Sequence, residues 1–313
     1  MRIILANPRG FCAGVNMAID VVDRVLELQG PPVYVFHEIV HNRHVVDGFR
    51  ERGVVFVDYI DEVPEGATVV YSAHGISPAV REAAKRRRLY EVDDTCPLVT
   101  KVHKEVLRFA RDGYHILFIG HHNHDEAVGT VGEAPDRITV VESAEEVWQV
   151  QVPEDRPLAF VTQTTLSVSD AQRVIDEIQK RWPEIRSPLK DDICYATTNR
   201  QNAVSEISPE VDLVLVVGSQ NSSNSQRLVD RAQEVGKAAY LIDDHSYLKD
   251  EWFKGVNSVL ITAGASAPDH LVQNLIDRLK RDFKGGEVET RTLVEENIEF
   301  LLPKSLRQLE VIG

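Results

Sequence analysis

Three similar α/β modules with mainly parallel sheets, set around a pseudo-threefold axis with cluster and substrate at the centre, are what this sequence predicts. Three observations carry the architecture. Apolar runs rich in Val and Ile alternate with amphipathic stretches, as buried parallel strands alternate with helices in βα units. Cys12, Cys96 and Cys194 are the only cysteines, and each opens a segment with helical periodicity. Polar loops then recur at similar distances behind each cysteine, and self-similarity of this kind marks repeated structural units.

The run from Arg2 to Ala6 precedes the first cysteine and is expected to pair with the strands of the third module, closing the ring. Behind Cys12, GVNMAIDVVDRVLEL is helical, VYVF is a strand ending in the loop HEIVHN, and TVVY is a strand ending in SAHGIS. Behind Cys96 the same order returns: PLVTKVHKEVLRFA, then HILFIG into HHNHDE, then LAFVTQTTLS and the helix DAQRVIDEIQKRW. Behind Cys194 come YATTNRQNAVSEI, then VDLVLVVG into SQNSSNS, then SVLITAGASAP and the helix PDHLVQNLIDRLKRD. The first loop of each segment lies 28 or 29 residues after its cysteine, at His41, His124 and Ser222. The second lies 62, 68 and 72 residues after it, at His74, Thr164 and Ser266. Ligands of parallel sheets lie beyond the C-terminal strand ends, where such loops run into helices. The module boundaries that follow are 14–96, 97–192, and 193–282 together with 1–13. Residues 283–313 break the pattern and are expected to form a C-terminal tail packed across a module.

The 313 residues are 43% hydrophobic and 27% charged, an ordinary globular composition. No apolar run approaches the roughly 20 residues that span a bilayer, and the N-terminus does not read as a secretory signal. A cytoplasmic, reducing setting is expected, in which unpaired cysteines bind metal or catalyse. The net charge of −14 argues against a nucleic-acid partner. The basic run from Lys85 to Leu89 reads as the solvated end of a helix.

An odd thiol count cannot pair within the chain, and the wide spacing is unlike a CxxC motif. Thiolates select zinc, copper(I) or iron–sulfur clusters. Structural zinc wants four ligands, whereas three cysteines match three corners of a cubane and leave one iron open. His41, His74, His124, Ser222, Asn224 and Ser266, with helix N-terminal amides, suit phosphate or diphosphate oxygens. No P-loop or GxGxxG fingerprint points to a nucleotide. Glu126 is the best acid/base candidate, with a first-turn helix glutamate as the plain alternative. Thr164 and Thr165 either position a proton path or cap a helix. The remaining eight histidines, His37 among them, read as surface or packing residues. A cluster-bearing sensor or carrier and a zinc-dependent hydrolase of a phosphorylated metabolite are the rival readings.

ANPRGFCAGV, HEIVHNRHVVD, YSAHGIS, DDTCPLVTKVH, GHHNHDE, TQTTLS, KDDICYATTNRQ, VVGSQNSSNSQRL and TAGASAPD follow in order across nearly the whole chain. Together they resemble the 4-hydroxy-3-methylbut-2-enyl diphosphate reductase family, the last step of the methylerythritol phosphate route to isoprenoids. The resemblance implies one [4Fe–4S] cluster per chain on Cys12, Cys96 and Cys194, with one iron lacking a protein ligand. It implies a diphosphate held by His41, His74, His124, Ser222, Ser223, Asn224 and Ser266. Glu126 would take part in proton delivery, with Thr164 placing it and His124 and Thr164 close to the reacting end. The implied reaction removes the substrate hydroxyl with two electrons and two protons, the electrons coming from a ferredoxin- or flavodoxin-like donor. Two positions depart from the family pattern. Asp94 stands where a small residue is usual, and Asp125 where proline is common. Extra carboxylate charge there is expected to lower the cluster's potential or perturb Glu126.

Overall fold

The structure, a computed structural model, describes residues 1–306 and 309. In chain order, the first segment holds β1 (Arg2–Asn7), α1 (Ala13–Gln29), β2 (Val33–Phe36), α2 (Arg43–Glu51), β3 (Val54–Val57), β4 (Thr68–Tyr71), α3 (Pro78–Arg86) and β5 (Tyr90–Asp93). The second holds α4 (Pro97–Arg111), β6 (His115–Ile119), α5 (Asp125–Gly132), β7 (Ile138–Val141), β8 (Leu158–Thr162) and α6 (Val168–Arg181). The third holds α7 (Tyr195–Ile207), β9 (Leu213–Val217), α8 (Ser223–Glu234), β10 (Ala238–Ile242), β11 (Ser258–Ala263), α9 (Asp269–Asp282) and β12 (Val288–Thr292).

These strands form three sheets, ordered β10-β9-β11-β1-β12, β3-β2-β4-β5 and β7-β6-β8. All their pairings are parallel, as continuous Val/Ile/Leu strands require when helices cover both faces. The chain divides into two compact units. One comprises Met1–Val15, His41–Asp47 and Tyr195–Glu299; the other comprises Asn16–Val40, Gly48–Cys194 and the chain from Phe300.

In the first unit β1 lies beside β11, with Ile3 opposite Val259 and Leu5 opposite Ile261. The pairing expected for Arg2 to Ala6 is therefore present. Its sheet has a core on each face: Leu215, Ile261 and Leu275 on one, and Val204, Val214 and Leu228 on the other. The stretch expected as a tail contributes β12, which takes the free edge of β1. Its alternating, exposed sequence VETRT has no apolar signature because only one strand covers it, so the repeat pattern passed over it. The end of that stretch, residues 307, 308 and 310–313, lies outside the described residues.

The second unit holds the other two sheets, with Val69 and Tyr71 in the core of one and Leu117, Phe160 and Ile178 in that of the other. Lys85 and Arg86 close the last turn of α3, where cations oppose the helix dipole. Helix α5 lies against the loop after β4 because it has glycine where it approaches. A Cβ on Gly129 would stand 3.2 Å from the Gly75 carbonyl, and one on Gly132 would overlap the Ser77 side chain. No helix among the described residues is long and apolar enough to cross a membrane.

Candidate active site

All three cysteines sit in one backbone setting. The amide of Cys12 donates to the Ala265 carbonyl at 3.2 Å, that of Cys96 to Ala73 at 3.0 Å, and that of Cys194 to Thr164 at 3.0 Å. The acceptors belong to the loops behind β11, β4 and β8, which carry Ser266, His74 and Thr164. Each second polar loop of the sequence repeat is thus tied directly to a cysteine loop. The three thiols are half-exposed and unpaired by disulfides.

The first polar loops end as helix caps. Asn42 Oδ1 accepts the Val45 amide at 3.2 Å, His124 Nδ1 that of Glu126 at 3.1 Å, and Ser222 Oγ that of Ser225 at 3.3 Å. Capping a helix does not by itself exclude an anion, because other amides of the same first turn can face one. His124 is specific in this respect. A ring whose Nδ1 accepts an amide proton carries its own hydrogen on Nε2 when neutral, and offers it as a donor. The His74 ring meets the His124 ring edge-on, with centroids 5.7 Å apart.

Glu126, in the first turn of α5, is 1% exposed. Its Oε1 accepts the Thr164 amide at 2.7 Å and its Oε2 the Thr164 hydroxyl at 2.8 Å. Burial pushes its pKa up to about 7, against the pull of the two Thr164 bonds and with a smaller push from Asp192. A carboxyl so placed keeps its proton near neutral pH, as a general acid must. Thr164 therefore holds the Glu126 carboxyl with its amide and hydroxyl while its carbonyl holds the Cys194 amide. Replacing Thr164 by Val deletes one bond to the ionised form, and such bonds contribute about 1.5–3 kcal/mol. The titration of Glu126 should then rise by about one pH unit or more, carrying the alkaline limb of the pH–rate profile with it. Thr164→Ser should keep the limb in place, and an unmoved limb in the Val variant would count against this role.

In the first unit, Asn224 is the counterpart. Its Oδ1 accepts the Ala265 amide at 2.8 Å and its Nδ2 donates to Thr197 Oγ1 at 3.2 Å. Ser266 donates its hydroxyl to the His41 carbonyl at 2.8 Å. A Cβ on Gly264 would fall on the Ser225 side chain, so glycine admits the first turn of α8 to the strand end. Of the residues singled out in the sequence, this unit gathers Cys12, His41, Ser222, Ser223, Asn224 and Ser266. The other gathers Cys96, Cys194, His74, His124, Glu126 and Thr164.

The two departures from the family pattern sit in different surroundings. Asp94 is fully buried, neither of its oxygens has a hydrogen-bond partner, and burial holds its pKa well above the usual carboxylate range. That shift disfavours the charged form and so runs against the added charge expected of Asp94. Asp125 directs one oxygen to His37 Nδ1 at 2.8 Å, and this bond raises the His37 pKa. His37 was read from the sequence as a surface or packing residue; its left-handed φ of 60° was invisible there. Asp192 was also missed. It accepts from Lys101 Nζ at 2.5 Å and from the Thr162 amide at 2.9 Å, joining α4, the Cys194 loop and β8.

The family model described as LytB protein matches residues 3–280. This chain belongs to the LytB family. Curated relatives include the 4-hydroxy-3-methylbut-2-enyl diphosphate reductases of Rhodopirellula baltica and Pectobacterium carotovorum. The first is 56% identical over 307 residues, covering 98% of this chain and 96% of the relative. The second is 55% identical over 311 residues, covering 98% of each. Among solved structures, the E-1-hydroxy-2-methyl-but-2-enyl-4-diphosphate reductase of Plasmodium falciparum matches with a TM-score of 0.96 at 39% identity, over 99% of this chain and 98% of the other. A second, an (E)-4-hydroxy-3-methyl-but-2-enyl diphosphate reductase described as the terminal enzyme of the non-mevalonate pathway, matches with a TM-score of 0.64 at 34% identity. That match covers 90% of this chain and 99% of the other. The LytB match and these relatives agree with the resemblance carried by the sequence motifs.

Proposed function

We propose that this chain reductively dehydroxylates (E)-4-hydroxy-3-methylbut-2-enyl diphosphate to isopentenyl and dimethylallyl diphosphates. One C–O bond breaks, two electrons and two protons are consumed, and water leaves with the substrate oxygen. The observation that carries the reading is Glu126, a fully buried carboxyl titrating near 7 and gripped by the Thr164 loop that also holds a cysteine amide. Three half-exposed thiols, none in a disulfide and all in one repeated backbone setting, fit a [4Fe–4S] cluster held by Cys12, Cys96 and Cys194. When bound, the cluster supplies electrons singly and Lewis acidity at the iron without a protein ligand.

The chain's own residues do the rest. Ser222, Ser223 and Asn224 at the start of α8, with Ser266, His41, His74 and His124, bind the diphosphate and fix its orientation. His124 offers Nε2–H while its Nδ1 is engaged by the helix. Glu126 gives its proton to the departing hydroxyl, and Thr164 holds the resulting carboxylate until it is reprotonated. A ferredoxin- or flavodoxin-like protein delivers the electrons, and the reduced thiols suit a cytoplasmic setting. In this reading each sheet belongs to one module, 14–96, 97–192 and 193–282 with 1–13, and 283–313 is an added C-terminal segment. Support comes from the one amide bond that each cysteine repeats.

The deciding experiment is anaerobic purification, metal and sulfide counting, and turnover of the allylic diphosphate with a chemical one-electron reductant. About four irons and four sulfides per chain are expected, with both isomeric products. About one zinc and no sulfide would overturn the reading in favour of a hydrolase. An intact cluster whose spectrum ignores the diphosphate, without turnover, would favour a carrier.

A further inference from the structure

Arg200, on α7, is the largest fully buried side chain and has no part in the chemistry above. Its Nε and Nη2 reach the Gly10 carbonyl at 3.2 and 2.7 Å, and Nη1 reaches the Ala196 carbonyl at 3.0 Å. Nη1 also meets both oxygens of Glu296, at 3.1 and 3.2 Å. Glu296, beyond β12, accepts in addition from Asn199 Nδ2 at 2.9 Å. The two charged side chains are 1% and 12% exposed. A buried guanidinium is tolerable only with its charge matched and its donors satisfied, and Glu296 supplies the match.

Gly10, the acceptor, precedes Cys12 by two residues. Its φ is +65°, and a Cβ there would stand 3.1 Å from the Ala267 carbonyl, so the turn leaves no room for another residue. The loop is also held by backbone bonds from Gly10 to Ala263 and from Cys12 to Ala265, by the Ala13 amide on the Tyr195 hydroxyl at 3.3 Å, and by Arg9 on Asp269 at 3.0 Å. Arg9 is paired at the exposed Asp269, whereas Arg200 is fully buried and bonds the Gly10 carbonyl itself. It fixes the carbonyl that sets the direction of the chain as it enters Cys12.

We propose that Arg200 and Glu296 are a positioning pair for Cys12, through which the C-terminal segment secures the Cys12 loop and balances its charge. The inference rests on the reading that Cys12 is a cluster ligand. Partners that orient a metal ligand typically change metal retention about 10–100-fold when removed. Neutralising Glu296 also leaves a buried cation unopposed on the loop that carries Cys12, and an added positive charge favours the reduced, more negative state of a cluster held there.

The test uses anaerobically prepared holoenzyme and reads iron release to a chelator, the cluster's midpoint potential and the thermal midpoint. Glu296→Gln is expected to release iron about tenfold faster than wild type and to shift the potential to a more positive value. Glu296→Asp keeps the charge on a shorter arm, so it should release iron faster with the potential nearly unmoved. A merely structural role would lower the thermal midpoint of both variants without separating their potentials. Wild-type release rates and potential in Glu296→Gln would overturn the proposal. If that variant fails to load, the Asp variant decides, and wild-type release from it overturns the proposal equally. Wild-type protein without iron and sulfide would overturn the underlying cluster reading as well, and differs from those outcomes because no variant is needed to see it.

Discussion

Exchanging Glu126 for Gln is expected to lower kcat by about 10²–10⁴-fold and to leave KM for the allylic diphosphate within a factor of about three. Gln fills the same space. Its Oε1 can still accept the Thr164 amide, and its NH₂ can donate to the Thr164 hydroxyl oxygen, so neither backbone nor pocket has cause to move. What disappears is the proton. In the wild type the acid is loaded below a pKa of about 7, so kcat should fall as pH rises through that value. The residual rate of the variant should lose that limb. Stability carries a linked signature. The folded pKa lies above the ordinary glutamate value of 4.5, so the native state holds a proton that the unfolded chain has released. Folding is therefore favoured less as pH rises from about 4.5 to about 7. Urea unfolding at the two ends of that window should show a slope in the wild type that is reduced in Glu126→Gln. Turnover within about threefold of wild type would remove Glu126 from the acid role.

Much of this arrangement was legible because the repeat is written in both periodicity and spacing. Strands buried on both faces must be continuously apolar, so VYVF, HILFI and LVLVV announced themselves, and their distances to the cysteines located the loops beyond them. The loop residues were legible as donors but not as partners. Nothing in TQTTLS says that Thr164 spends both its amide and its hydroxyl on Glu126, because that contact joins residues 38 apart. The strand β12 was missed for the opposite reason. An edge strand covered on one side carries no apolar run, and VETRT reads as solvent-exposed chain. Arg200, Glu296 and Asp192 were also missed, since a charged residue in sequence reads as surface unless its partner is known. Asp94 shows the same limit in reverse: its identity implied a charge, and only its complete burial shows that the charged form is disfavoured.

Asn224 offers the second large effect, because it supports the Cys12 loop and, in the proposed function, also binds the diphosphate. It is 5% exposed, and its amide oxygen holds the Ala265 N–H while the Ala265 carbonyl holds the amide of Cys12. Asn224→Asp keeps that acceptor, and with it the loop, but loses the donor to Thr197 and places a negative charge in the first turn of α8. Two unit charges about 4 Å apart interact by about 4 kcal/mol at an effective dielectric near 20. Diphosphate bears more than one charge, and exchange with solvent ions offsets part of the repulsion. A loss of about 10²–10³-fold in affinity for inorganic diphosphate is therefore expected, carried by KM with iron and sulfide content unchanged. Asn224→Ala distributes its cost differently. It adds no charge but strands the Ala265 N–H, at about 1–3 kcal/mol for a buried unsatisfied donor, so binding should weaken less while iron is released faster. Calorimetric titration with diphosphate, paired with iron release, separates the two variants. If Asn224→Asp binds diphosphate within about threefold of wild type, α8 is not where the diphosphate sits, and the capping of its first turn would be the whole role of SQNSSNS.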